Sequence, residues 1–167
     1  RSCGGSCRFE KQSTAHSPIV MRRFFADNFI KRMCAVMSYV PTPQQAHEIL
    51  EKYNKEPFHL AHGETVAGVM GVFARKYDPE NVAFWQSVGM LHDIDFELYP
   101  EEHCAKCVEL LRSHDIDEGI IRSIVNHGYG RLDWVTVKPE LQMEKILFAT
   151  DELFGLIGAC AMVRPSK

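Results

Sequence analysis

Five imidazole or carboxylate side chains fall in line with apolar residues at helical spacing, where polar groups are unexpected. Residues at i, i+3, i+4 and i+7 share one helix face. His62 lies in line with Val66, Val69 and Phe73, and His92 follows Trp85, Val88 and Gly89. His127 follows Ile120 and Ile124, and Asp151 sits between Leu147 and Phe154, with Gly155 and Gly158 allowing close helix approach. His103 is expected to open a helix whose inner face continues through Leu110. Burying an unpartnered carboxylate costs on the order of several kcal/mol, or shifts its pKa instead. One inward histidine is more often a hydrogen-bonded core residue. Five such groups on different helices could solve one another's burial by sharing a cation. Mixed imidazole and carboxylate donors suit Fe, Mn, Zn or Ni.

The elements that must position these groups are helical almost throughout. Thr42-Pro43-Gln44-Gln45 reads as a capping box with proline in the first turn, opening a helix to about Tyr53. Asp78-Pro79 repeats the device before NVAFWQSVGML, Pro100 precedes EEHCAKCVELLRS, and Pro139 precedes ELQMEKILFATDELFGLIGACAMV. Only WVTV, Trp134 to Val137, has β character, and so short a piece makes no sheet. The expectation is an all-α fold of about six helices. Residues 1–20 read as a disordered or expression-derived lead-in, residues 21–41 as a weakly helical stretch, and residues 42–167 as the domain.

The tetrapeptide HDID occurs twice, at His92 and at His114. The first copy follows VGML and lies at the end of a buried helix, so His92 and Asp93 are expected to ligate. In the second copy Asp115 is expected to be an N-cap, with Glu118 closing a capping box before EGIIRSIVNH. That assigns His114 and Asp115 a local backbone role.

His62 in FHLAHGETVAGVM, the doublet in VGMLHDIDFE and Asp151 in LFATDELFGL together resemble the HD-domain metal-dependent phosphohydrolase superfamily. The likeness in order, setting and spacing runs over roughly residues 45–163. It is nearest to small stand-alone bacterial HD proteins reading LLHDID and DELTGLI. The resemblance implies an HD-domain-like helical bundle in which His62, His92, Asp93 and Asp151 bind a divalent or trivalent transition metal (Mn, Fe, Ni or Zn, with Mg an option). Members holding two ions carry two further histidines in this interval, which His103 and His127 resemble, with Asp93 then bridging. The implied reaction is cleavage of a phosphomonoester or phosphoanhydride, of a nucleotide-like substrate, by metal-activated water.

On that reading the catalytic candidates are Asp93, Asp95 and Glu97, and Arg131 and Lys138 would meet a substrate phosphate. Asp95 and Phe96 stand where the common HD-I-G-K form has Gly and Lys, which removes one phosphate-contacting lysine. The related proteins continue beyond VRPSK, so a closing helix is expected to be missing and an apolar face to be left exposed or covered by a second subunit, as in a homodimer. Two rival readings are a metal-containing nucleotide-binding or sensing module with little turnover, and a helical scaffold whose inward polar groups merely hydrogen-bond.

Bulk properties narrow the field. A net charge of -3 over 167 residues gives no reason to expect a nucleic-acid partner. Apolar content of 46% with 25% charged residues is that of a globular domain. The six cysteines show no disulfide framework, and Cys104 and Cys107 form a C-x-x-C inside an amphipathic helical pattern. The apolar run Leu153–Val163 is too short to span a bilayer. The chain reads as a reduced, cytoplasmic protein with no membrane partner.

Overall fold

The computed structural model of the protein describes residues 39–164, apart from the side chain of Met162. The expectations for residues 1–20, and for a helix leading up to residue 39, lie outside the described residues. Among the described residues six α-helices follow one another: α1 (Pro43–Tyr53), α2 (Pro57–Tyr77), α3 (Val82–Leu91), α4 (Lys106–Arg112), α5 (Glu118–Val125) and α6 (Gln142–Val163). Among the described residues there is no strand, only a single parallel bridge between Tyr39 and Ile116. Of the WVTV segment, Val135 alone is buried. The fold is all-α.

The capping box of α1 forms as its residues dictate. Thr42 Oγ1 accepts from the Gln45 amide, and Gln45 Oε1 accepts from the Thr42 amide at 2.9 Å. The buried face of α1, Ala46, Ile49 and Leu50, packs on α3. The most extensive packing is between α2 and α3, with Val66, Met70 and Ala74 facing Trp85, Val88 and Leu91 in one core. This crossing is close because it lacks side chains where the backbones meet. A Cβ on Gly89 would lie 2.9 Å from Ala67 Cα, and one on Gly63 would lie 3.0 Å from the Met90 carbonyl oxygen. Since α2 carries His62 and α3 ends at His92, that approach sets how near the two imidazoles can come.

Three helix starts differ from expectation, each because a carboxylate gathers backbone amides. Asp117, not Asp115, caps α5, accepting from the Gly119 amide at 2.8 Å. Asp115 instead turns the chain at φ 56°, and Glu118 pairs with Arg112 rather than closing a box. Pro100 opens only a short 3₁₀ turn, Pro100–Glu102, before the chain breaks at His103 and Cys104. Helix α4 begins later because buried Asp95 accepts from the Cys107 amide at 2.7 Å. In α6, fully buried Glu144 accepts from the amides of Glu140 and Leu141, while Arg122 donates to its other oxygen at 3.2 Å. This delays the start to Gln142.

The glycine crossing yields a paired stability test. Gly89→Ala forces a methyl into the α2 backbone and is expected to cost about 1–3 kcal/mol. Gly68→Ala, on the exposed side of α2 with nothing within 4 Å of its Cβ, is expected to be neutral or stabilising, by up to about 1 kcal/mol. Urea unfolding of the two variants measures the contrast; equal effects would contradict the close crossing.

Candidate metal centre

His62 projects from α2, His92 ends α3, and Asp93 and Asp95 lie on the turn that follows. His103 lies in the break before α4, His127 in the 3₁₀ turn Asn126–Gly128 after α5, and Asp151 within α6. Of these seven side chains, the structure brings five, His62, His92, His103, His127 and Asp151, around Asp93. Its Oδ2 lies 3.5 Å from His62 Nε2 and 3.3 Å from His92 Nε2. Asp151 Oδ1 joins that group, 3.2 Å from His62 Nε2 and 3.3 Å from His92 Nε2. Asp93 Oδ1 faces the other way, 3.5 Å from both His103 Nε2 and His127 Nε2.

These spacings are what ligands of one ion show. Donors about 2.0–2.2 Å from a tetrahedral centre lie about 3.3–3.6 Å apart, and somewhat closer when six-coordinate. The His62–His92 and His103–His127 Nε2 pairs are each 3.1 Å apart.

The hydrogen-bonding pattern favours positive charge inside the cluster. His92 Nδ1 faces the Gly89 carbonyl at 2.8 Å, and His127 Nδ1 faces the Ile124 carbonyl. A carbonyl only accepts, so each Nδ1 carries the hydrogen, leaving Nε2 of the neutral ring a bare lone pair. His103 Nδ1 likewise donates to Asp95 Oδ1 at 2.8 Å. The lone pairs of His103 and His127 therefore point toward each other and toward Asp93 Oδ1. Without a cation the repulsion must be relieved by extra protons. The same carbonyls explain the placement: they lie in the last turns of α3 and α5, whose helix dipoles also favour positive charge.

Titration follows this geometry. Burial opposes a charged His92, but the Asp93 and Asp151 carboxylates outweigh it and hold its pKa well above the ordinary 6.5. Burial would raise Asp93, yet His92 and His127 hold it well below the usual carboxylate range. Asp151 is lowered in the same way by His62 and His92 against its burial.

Not every expected site residue joins the cluster. Asp95 is buried behind His103, where it fixes that ring and the start of α4. Glu97 is spent on the N-terminus of α2, accepting from the Lys55 amide at 2.9 Å, the Glu56 amide at 3.1 Å and His59 Nδ1 at 3.0 Å. His59, more than those amides, lowers its pKa. Arg131 does reach the cluster, but as a tie: it donates to Asp151 Oδ2 at 3.1 Å and the His127 carbonyl at 2.8 Å, and pairs with Glu152 at 2.8 Å. Lys138 stands exposed in the irregular segment before α6, and no contact joins it to the cluster.

The sequence reading left out Cys104, whose Sγ lies 3.6 Å from His127 Nε2 and which belongs with His103 and His127 to a set able to hold an ion. Its burial pushes the thiol far above its ordinary pKa. The signal was its place beside His103, obscured by the expected helix; at φ 63° the residue is not helical.

Among the described residues, the second HDID copy makes no such cluster. His114 Nε2 meets the Tyr53 hydroxyl at 2.9 Å, and the Asp115 carbonyl accepts from the Tyr39 amide at 3.0 Å. Among the described residues, no helix is long and apolar enough to cross a membrane. Comparisons with protein-family models, curated proteins and solved structures found no match.

Two outcomes follow from this geometry. The double variant His114→Ala, Asp115→Ala is expected to retain the metal content of the parent, and His92→Ala, Asp93→Ala to lose it; elemental analysis decides, and the reverse pattern would overturn the choice between copies. In metal-free protein the raised His92 pKa contributes stability that is full below 6.5 and is lost as pH rises through the raised value. Lowered Asp93 and Asp151 contribute above 3.8, and that is lost as pH falls through their lowered values. A metal ion competes with the His92 proton, so metal-induced stabilisation should grow between about pH 6 and about pH 8. Melting curves with and without Mn²⁺ or Zn²⁺ check this; a pH-independent shift would remove His92 from the ligand set.

Proposed function

We propose that the protein is an HD-type metal-dependent phosphohydrolase, cleaving a phosphomonoester or phosphoanhydride of a small organic substrate. The observation that carries this reading is Asp93, whose two oxygens face separate donor groups. One group is His62, His92 and Asp151; the other is His103 and His127, with Cys104 beside it. That is the ligand pattern of two neighbouring ions bridged by one carboxylate. The mixed donor set favours Mn, Fe, Ni or Zn over Mg.

The chemistry such ions supply is Lewis acidity, drawing the pKa of a water toward neutrality and neutralising phosphate charge. Asp93 is 26% exposed whereas His92 and His127 are nearly inaccessible, so substrate would approach over the bridging carboxylate. Asp95, through His103 Nδ1, keeps the His103 lone pair aimed at its ion. Arg131, the basic side chain at the cluster, is committed to Asp151 and Glu152, so it orients Asp151 and leaves most phosphate neutralisation to the ions.

Metal-loaded protein is expected to release inorganic phosphate from a panel of phosphomonoesters and nucleotides, and Asp93→Ala to abolish release. Asp95→Asn should lower kcat/KM about 10–100-fold and weaken one metal site while sparing the other. Ligand-dependent melting of metal-loaded protein without phosphate release across the panel would contradict catalysis and favour a sensing module.

A further inference from the structure

His62 belongs to two features at once: the metal cluster, and a cleft of about 190 Å³ between α2 and α6. The α2 wall is Phe58, Ala61 and Thr65, and the α6 wall is Phe154, Ile157 and Gly158. Apart from His62 no lining residue is ionisable. The Thr65 hydroxyl donates its hydrogen to the Ala61 carbonyl at 2.7 Å and has none to offer a ligand, which leaves the His62 ring as the polar donor at the cleft. A charged or hydrogen-bond-rich group placed there would lose more water contacts than His62 and Thr65 can replace. An apolar group would gain, because Phe58 and Ile157 are 55% and 51% exposed beside the cluster. The Phe58 ring lies nearly parallel to His62, at 15° with centroids 6.4 Å apart, presenting a flat wall. Sites for drug-sized ligands occupy about 300–1,000 Å³, so this volume suits a single ring.

We infer that this cleft receives the organic group of the substrate and that this group is a compact, uncharged aromatic ring. Resting on the phosphohydrolase reading, this makes the preferred substrate an aryl or arylalkyl phosphomonoester rather than a polyphosphate or a nucleotide read by base hydrogen bonds. Gly158 keeps the cleft open: a Cβ there would sit 3.6 Å from the Phe58 ring, so alanine fits and a longer side chain would occupy the space.

Non-hydrolysable phosphonates test the subsite without turnover. Benzylphosphonate should bind the metal-loaded full chain at least about tenfold tighter than methylphosphonate, from burial of the ring. Gly158→Leu, which adds helix propensity and touches no ligand, should remove that preference while leaving methylphosphonate affinity unchanged. Equal affinity for the two phosphonates in the parent, or a benzyl preference that survives Gly158→Leu, would overturn the subsite while leaving phosphoester hydrolysis standing. Adenosine monophosphate binding tighter than benzylphosphonate would also overturn it. Failure of both phosphonates to bind the metal-loaded chain would remove the phosphohydrolase reading, and the subsite with it.

Discussion

The structure turns on one electrostatic constraint: three imidazole lone pairs and two carboxylates are gathered where they repel one another unless positive charge lies between them. His92, His103 and His127 have each committed Nδ1–H to an acceptor, so none can turn a hydrogen inward while neutral. Pairs of protons could hold the group together at low pH. A bound cation could do the same, satisfying several lone pairs at once.

The helices are arranged to make that convergence stable. Two of the three Nδ1 acceptors are carbonyls at the C-termini of α3 and α5, groups every helix leaves without a partner. Ring orientation and helix termination are thus one interaction. The glycine crossing of α2 on α3 lets His62 reach His92, and Arg131 holds Asp151 on α6 to the carbonyl of His127. A loss of packing at Gly63 or Gly89 would therefore reach the cluster through geometry alone.

Much of this was legible in the residues. His62, His92, His127 and Asp151 betray themselves as polar groups on apolar faces, and a period of 3.6 is readable without coordinates. Among the described residues the second HDID joins no cluster, although Asp117 rather than the expected Asp115 holds the cap. What escaped depends on long-range capping. Asp95 reaches the Cys107 amide and delays α4, which takes His103 and Cys104 out of a helix that local propensity favours. Glu97 reaches across to the amides of Lys55 and Glu56, a contact between residues 41 or more apart that no periodicity reveals. The two copies of HDID share a buried isoleucine, Ile94 and Ile116, yet differ in setting, because the first has cluster partners on α2 and α6.

The central claim is that Asp93 lies between two cation positions. Elemental analysis of the full chain, purified without added metal and then reconstituted, tests it most directly. The account predicts about two transition-metal ions per chain. A reconstituted chain that holds none, and whose melting is unchanged by chelator, would contradict it.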